Sequence, residues 1–397
     1  MKLSQKAQAC GLSPMRKFHP YAVAAKEKGR EIFHLNIGQP DIETPPAFFE
    51  TVKSFDAKVL EYAPAPGLPV LINAIRDYYK KLDVDYAAGD ILITTGGSEA
   101  LQILLNCILD EGSEVLIPEP FYPNYRTFVT AAGGKIVPIP TTVEEGYRYA
   151  VKERIEAQIS ENTRAIMVTN PGNPTGLVLT REELQVIVDV AREHELYIIG
   201  DEVYREFFYG GNGMAISLAS FPEAAENVVL IDSVSKRFSA CGARIGCLIS
   251  KNKELMAQAM KFCQARLCCA TLDQVASAAL YNVDADYFAA VREEYQLRRD
   301  TVLNALKKIP GVTVSNPEGA FYLMAALPVD DAEAFQLWLL NEFEDNGQTV
   351  MFSPAGSFYA TEGRGKNEIR IAYVLKKERL ERAMELLALA IEKYNQK

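Results

Sequence analysis

The sequence predicts an α/β protein with a mostly parallel sheet covered by helices on both faces. Short apolar runs supply the strands: Ile91-Leu92-Ile93-Thr94, Val115-Leu116-Ile117, Lys135-Ile136-Val137-Pro138, Arg164-Ala165-Ile166-Met167-Val168-Thr169, Leu196-Tyr197-Ile198-Ile199-Gly200 and Val228-Val229-Leu230-Ile231. They are brief and mostly apolar, with many β-branched residues, as expected of strands buried on both sides. Helical spacing falls between them, with Leu184, Ile187, Val188 and Ala191 along one face of a helix. Strand–helix alternation of this kind makes parallel βαβ units. Polar residues gather just past the strands, at Gly97-Ser98, Asn173, Asp201 with Tyr204, and Lys236. In an open α/β sheet that edge is where ligands bind.

Length and charge narrow the possible functions. A chain of 397 residues has room for two or three domains, and 48% hydrophobic with 24% charged residues is ordinary globular material. A formal net charge of −10 argues against nucleic acid as a partner and fits a soluble cytoplasmic protein. The first residues, Met1-Lys2-Leu3-Ser4-Gln5-Lys6-Ala7, have no apolar core of signal-peptide length. No later run approaches a membrane span, so no membrane partner is expected. Seven scattered cysteines do not form a disulfide framework. Cys263, Cys268 and Cys269 lie close together without a histidine or a Cys-x-x-Cys pair, which favours buried thiols over a metal site. His19, His34 and His194 are far apart, and nothing supports a histidine triad.

Residues 1–45 read as an arm, with a short helical stretch around 21–28 and then His34-Leu35-Asn36-Ile37-Gly38-Gln39-Pro40-Asp41. A proline-rich loop, Leu60-Glu61-Tyr62-Ala63-Pro64-Ala65-Pro66-Gly67, precedes a helix over 71–82. Gly96-Gly97 follows the strand at 91–94 and opens a helix, where converging N–H groups and the helix N-terminus favour an anion. The pair is not a Gly-x-Gly-x-x-Gly fingerprint, which weakens a dinucleotide reading. Ile245-Gly246-Cys247-Leu248-Ile249 supplies a further strand. Helices dominate 253–308, with a long one over 286–306. A small α/β unit follows, with strands at 312–314, 321–323 and 368–373 and a closing helix over 376–394. The expected division is an arm over 1–45 packing with the small domain, a large cofactor-binding domain over 46–284 and a small domain over 285–397.

The stretch that organises the chain is Asp232-Ser233-Val234-Ser235-Lys236, with Arg244 eight residues after the lysine. A lysine at a strand end can form a Schiff base with a carbonyl cofactor, while hydroxyls and an arginine fork can bind phosphate. Alone, Ser-x-Ser-Lys carries little information, because most lysines are solvated surface charges. The run resembles the cofactor-lysine signature of the class I/II aminotransferases, pyridoxal 5'-phosphate enzymes of fold type I. The likeness spans residues 13–394, with the major motifs in order.

That resemblance implies a large domain with a seven-stranded, mostly parallel sheet between helices, in which the strand at 245–249 is antiparallel, plus a smaller α/β domain. It makes Lys236 the catalytic residue, which holds the cofactor and then moves a proton at the substrate Cα. Asp201, in the Asp-x-x-Tyr pattern, keeps the cofactor's ring nitrogen protonated. Tyr204 and Asn173 bond its phenolic oxygen, and Tyr122 stacks on the ring, with Phe121 next door as the competing choice. Gly97, Ser98, Ser233 and Arg244 hold the phosphate, together with Tyr62 from the partner of a homodimer with shared active sites. Arg370, in Arg370-Ile371-Ala372-Tyr373, binds the substrate α-carboxylate, while Gly38 and Asn173 approach the substrate. Without the resemblance, Asp201 reads as a helix cap, Asn173 and Gly38 as turns, Tyr62 as packing and Arg370 as a surface ion pair.

The overall pattern is most similar to bacterial aspartate aminotransferases, which implies ping-pong transfer from an L-amino acid, aspartate in the first place, to 2-oxoglutarate. A dicarboxylate needs a second cation. Some aspartate enzymes place a lysine after the Gly-Gly, where this chain has Ser98; others use a partner arginine near 270–273, where none is evident. Arg16, beside Lys17 on the arm, is the candidate substitute. The alternatives are an aminotransferase for neutral or aromatic amino acids and a β-lyase of the same fold. A cofactor-binding transcription regulator would need a DNA-binding domain for which 1–45 has neither length nor charge. A dinucleotide oxidoreductase lacks its glycine fingerprint.

Overall fold

Most of the apolar runs fold as strands buried on both faces. The computed structural model describes residues 1–397, the side chain of Met15 excepted. In chain order the strands are β1 (Glu31–His34), β2 (Ile91–Thr94), β3 (Glu114–Pro118), β4 (Lys135–Ile139), β5 (Thr163–Thr169), β6 (Tyr197–Asp201) and β7 (Val228–Ser233). They continue as β8 (Gly246–Ser250), β9 (Thr313–Val314), β10 (Tyr322–Ala326), β11 (Gln348–Met351), β12 (Ser353–Pro354) and β13 (Glu368–Ala372). Seven of them form one sheet in the order β2-β8-β7-β6-β5-β3-β4. β8 runs antiparallel to β2 and β7, and every other pair is parallel, as the resemblance implied.

Alternation along these strands feeds two separate cores. Ile91, Ile93, Ile166, Val168, Ile198 and Leu230 join the core on one face; Leu92, Ala165, Met167, Ile199, Val229 and Ile231 join the core on the other. The amphipathic helix Arg181–Glu193 buries Leu184, Ile187, Val188 and Ala191 against the first. Its start is fixed by a capping box: Glu183 N–H donates to Thr180 Oγ1 at 3.2 Å, and Thr180 N–H donates to Glu183 Oε2 at 2.9 Å.

A third core surrounds the antiparallel sheet β12-β13-β10-β9. β1 and β11 pair in parallel as a separate ribbon. Neither of these two strands shows in the sequence, because each pairs only with a partner at the other end of the chain. The helix of the arm, expected at 21–28, is His19–Glu27, with Pro20 in its first turn, where no N–H is needed. The chain leaving β1 then joins both small sheets: Leu35 N–H donates to Met351 O, and Ala372 N–H donates to Leu35 O, each at 2.7 Å. Among the described residues, no helix is long and apolar enough to cross a membrane.

The reversal of β8 positions the site. Thr94 and Ser233 are both register partners of Gly246, so the residues that precede β8 lie beside the ends of β2 and β7. A Cβ on Gly246 would stand 2.6 Å from Gly96 C and 2.7 Å from Gly97 N, so only glycine permits this approach. Gly246→Ala is therefore expected to lower the unfolding free energy by about 1–3 kcal/mol through overpacking. Urea unfolding measures this, and an unchanged midpoint would contradict the packing constraint.

Candidate active site

A cleft of ≈ 460 Å³ opens at the ends of these strands. Gly38, Gly97, Ser98, Tyr122, Asn173, Asp201, Tyr204, Ser233, Lys236, Arg244, Arg370 and Arg16 all line it. Of the residues singled out in the sequence, Tyr62 stands apart: it is 80% exposed and outside the cleft of its own chain. Phe121 is buried in the core and does not line the cleft, so Tyr122 is the aromatic that reaches it.

The lysine is set by a short helix, Val234–Arg237, that starts where β7 ends. Ser233 caps it, with Oγ accepting from Ser235 N–H at 3.1 Å and donating to Ile245 O at 2.9 Å. Lys236 Nζ donates to the carbonyl oxygen of Gly38 at 2.8 Å and lies 3.7 Å from Cys241 Sγ. Gly38 can come this close because it has no side chain; a Cβ there would sit 2.0 Å from Tyr322 Oη. The arm thus supplies a wall of the cleft and an acceptor for the amine.

Asp201 ends β6 and is buried. Burial pushes its carboxyl up to about 6, against the hydrogen bond from Tyr125, which holds it down. Tyr125 Oη donates to Asp201 Oδ2 at 2.6 Å and lies 2.9 Å from Thr169 Oγ1. Tyr204 Oη lies 3.1 Å from Tyr322 Oη, and Asn173 Nδ2 donates to Tyr204 Oη at 3.5 Å. Burial holds the hydroxyls of Tyr125 and Tyr204 well above the ordinary tyrosine range, so both are protonated donors.

The cations come from different elements. Arg244 takes a left-handed backbone (φ 53) just before β8. Its Nη1 donates to Cys241 O at 3.0 Å, and its guanidinium lies over Gly96, where a Cβ would come within 2.4 Å of Nη2. Gly96 and Gly97 open the helix Gly96–Ile108, so its free N–H groups and Arg244 face the same space. Arg370, on β13, is 1% exposed. Its Nη2 donates to Asn36 O at 2.8 Å, its Nη1 donates to Asn173 Oδ1 at 3.2 Å, and its guanidinium stacks 4.6 Å from the Tyr322 ring centroid. Among the described residues its hydrogen bonds go to Asn173, Asn36 and Ser353 with no carboxylate partner, and its Nε has no hydrogen-bond acceptor. Burial lowers its pKa, since desolvation disfavours the charged form.

Among the cleft residues given no role from the sequence are Tyr125, Tyr322, Ser235 and Cys241. Tyr125 carried a usable signal, since it follows Tyr122 by three residues and the two rings meet edge-on at 5.5 Å. Tyr322 carried none, because only the pairing of β10 with β13 brings it to the cleft.

Comparison with known proteins agrees with this geometry. The family model for aminotransferase class I and II matches residues 30–387. An aspartate aminotransferase from Bacillus subtilis is 30% identical over 405 residues, covering 100% of both chains. A solved aspartate aminotransferase from Thermus thermophilus with maleate superposes with a TM-score of 0.89 at 28% identity, over 98% of this chain and 100% of that one. An alanine aminotransferase from Pyrococcus furiosus gives a TM-score of 0.90 at 29% identity, over 99% of this chain and 100% of that one. With its seven-stranded sheet and the cleft at its strand ends, the chain belongs to the class I and II aminotransferases.

Proposed function

We propose that this aminotransferase moves the amino group of an L-amino acid, aspartate in the first place, to 2-oxoglutarate, using pyridoxal phosphate held at Lys236. The observation that carries the reading is Arg370: a buried guanidinium with no counter-ion, facing the same cleft as a half-buried lysine. A substrate α-carboxylate supplies the missing anion, and the planar fork can bond both of its oxygens.

The family is pyridoxal-phosphate-dependent, and the residues present fit that group. The glycine approach at Gly96, Gly97 and Gly246 leaves backbone N–H groups and Arg244 for a phosphate, with Ser98 and Ser233 adding hydroxyls. Asp201 would pair with the ring nitrogen, Tyr204 and Asn173 would bond the phenolic oxygen, and Tyr122 would cover the ring. When bound, the cofactor supplies an electron sink for negative charge at the substrate Cα. Tyr125 Oη donates to Asp201 Oδ2, and Val203 N–H donates to Oδ1 at 3.5 Å, so the carboxylate is held at both oxygens where Asp201 lines the cleft. Lys236 is the amine that holds the cofactor and, once free, carries the proton to and from Cα. Arg370 fixes the substrate by its carboxylate, which sets the direction of the Cα–H bond. Gly38 O is positioned to orient the lysine amine.

Tyr62 is exposed and outside its own cleft, which leaves it free to contribute to the phosphate site of a second copy and supports a homodimer with shared sites. The separate cores support an arm over 1–45, a large domain over 46–284 and a small domain over 285–397. For the distal carboxylate of aspartate, Arg16 is the further cation at the cleft. The maleate of the Thermus relative is a four-carbon dicarboxylate, which supports this substrate class. The likeness to an alanine aminotransferase supports a neutral amino acid as the second reading.

Addition of L-aspartate alone to the holoenzyme is expected to convert the lysine-bound cofactor band to that of the amino form. Lys236→Ala should lose covalent attachment and about a thousandfold or more in rate. A band that ignores aspartate but responds to alanine would move the assignment to the second reading. Arg370→Lys is expected to raise KM about tenfold for every amino acid. Arg16→Ala should raise KM only for dicarboxylates, by a few-fold because the group is exposed; steady-state kinetics with aspartate and alanine separate the two effects.

The pH dependence follows from Asp201. Below about 6 its carboxyl is protonated and resembles asparagine; above, it is the anion that favours a protonated ring nitrogen. The affinity advantage of the natural protein over Asp201→Asn is therefore expected to grow about tenfold between about pH 5 and pH 8. Cofactor titration of the two apoproteins measures it, and a constant ratio would remove Asp201 from this role.

A further inference from the structure

Close in sequence to the residues that line the cleft lie others that turn away from it. Glu202 follows Asp201, Arg205 follows Tyr204, Asp232 precedes Ser233 and Arg237 follows Lys236. None of these four lines the cleft, and each is at most 1% exposed. They meet one another beneath it. Arg237 Nη2 donates to Asp232 Oδ2 at 2.8 Å and Oδ1 at 3.0 Å, and Arg205 Nη2 lies 3.6 Å from Asp232 Oδ2. Arg205 also donates to Glu202, whose Oε1 accepts from Leu218 N–H at 2.8 Å. Glu206 Oε2 stands 2.9 Å from Arg237 Nε. Tyr79 Oη donates to Asp232 Oδ2 at 3.2 Å, and the Arg237 guanidinium lies 4.4 Å from the Tyr78 ring centroid.

Three carboxylates face two guanidinium groups here with no solvent access. Buried pairs of this kind contribute less stability than apolar residues of the same volume would, so net stability alone is a poor account of them. They do hold geometry. Asp232 is on β7, and its Oδ1 also accepts from Ser233 N–H at 2.7 Å; Arg237 ends the lysine helix; Glu202 and Arg205 follow β6.

We propose that Asp232, Arg237 and Arg205 are positioning residues that tie the end of β6 to the lysine helix, so that Lys236 and Asp201 keep a fixed spacing across the cleft. This rests on the reading that Lys236 carries the cofactor. The Lys236 amine itself faces Gly38 O and Cys241 Sγ, which the substitutions below leave intact, so a change in its behaviour reports displacement.

The test uses holoenzyme of the natural protein and of Asp232→Asn, Arg237→Met, Arg237→Lys and the Asp232→Asn/Arg237→Met double variant. Borohydride trapping with peptide mass analysis is expected to find the cofactor on Lys236 in each. In the two single charge-removing variants kcat should fall about tenfold to a hundredfold while KM changes less than about threefold. The pH midpoint of the lysine-bound cofactor band should move by about half a unit or more. The double variant should lose no more than the worse single variant, as expected of groups acting as a unit, and Arg237→Lys should recover part of the rate. If the singles fail to fold, Arg237→Lys decides, since it keeps a cation beside both Asp232 and Glu206; it is then expected to show a kcat below the natural value and a shifted midpoint. Folded variants with the natural kcat and midpoint, or with raised KM and unchanged kcat, would overturn the proposal. Absence of trapped cofactor on Lys236 in the natural protein would overturn both this inference and the reading beneath it.

Discussion

The approach of Gly246 to the Gly96–Gly97 turn, where a Cβ would be left 2.6 Å from backbone, is the constraint on which the rest of the site depends. It exists because β8 runs against its neighbours. In a wholly parallel sheet, the residues before a strand lie on the edge opposite the ligand edge. Reversal brings them to the same edge, so Arg244 joins the ends of β2, β6 and β7. A helix N-terminus, a guanidinium, a lysine and a buried carboxylate then share one space. The strand order would permit this with other side chains; the van der Waals radius at Gly246 permits it only with none.

The opposite wall is built differently. Arg370 and Tyr322 come from the antiparallel sheet, and Gly38 comes from the arm that crosses it. Leu35 bonds to strands of both small sheets, and Arg298, from the long helix Ala285–Leu306, donates to Asp41 Oδ1 at 2.6 Å. The arm is therefore pinned on both sides of Gly38. Two cores thus contribute two kinds of recognition. On the proposed reading, the seven-stranded sheet would offer the phosphate cradle and the ring partners, and the antiparallel sheet the carboxylate receptor. A substrate bonded to Arg370 and reacting near Lys236 must bridge them, so the relative placement of the two sheets enters directly into the geometry of reaction.

Local chemistry made much of this legible in the sequence. Asp201, Lys236 and Asn173 stand at strand ends that apolar runs announce, and Gly96-Gly97 announces a turn into a helix. Arg370 was recognisable only through its resemblance to a family, since a lone arginine on a strand has no local mark of burial. What stayed illegible depends on pairing at long range. β1 and β11 pair only with each other, from opposite ends of the chain, and Tyr322 reaches the cleft only through the register of β10 with β13. The ion network under Lys236 was hidden for another reason. Glu202, Arg205, Asp232 and Arg237 have the composition of a solvated surface, and nothing in a sequence distinguishes charges that face water from charges that face one another.

The same distinction bears on substrate choice. Arg370 is buried, so its attraction for an α-carboxylate acts where little water competes. Arg16 lines the cleft but remains exposed, and an exposed charge contributes roughly 1 kcal/mol or less to a pair. Ser98, at the start of the helix after β2, can donate one hydrogen bond to an anion but brings no charge of its own. On the proposed reading, recognition of the α-carboxylate by buried Arg370 would outweigh recognition of a distal one by exposed Arg16. A strong preference for a dicarboxylate over a neutral amino acid therefore requires that the second cation lose its water when substrate binds. The arm is the element able to bring that about, because Arg16 and Gly38 lie on the same segment. Leu35 and Asp41 hold the arm on either side of Gly38, so on this reading a movement that desolvates Arg16 leaves the acceptor of the Lys236 amine in place, and substrate selection separates from placement of that amine.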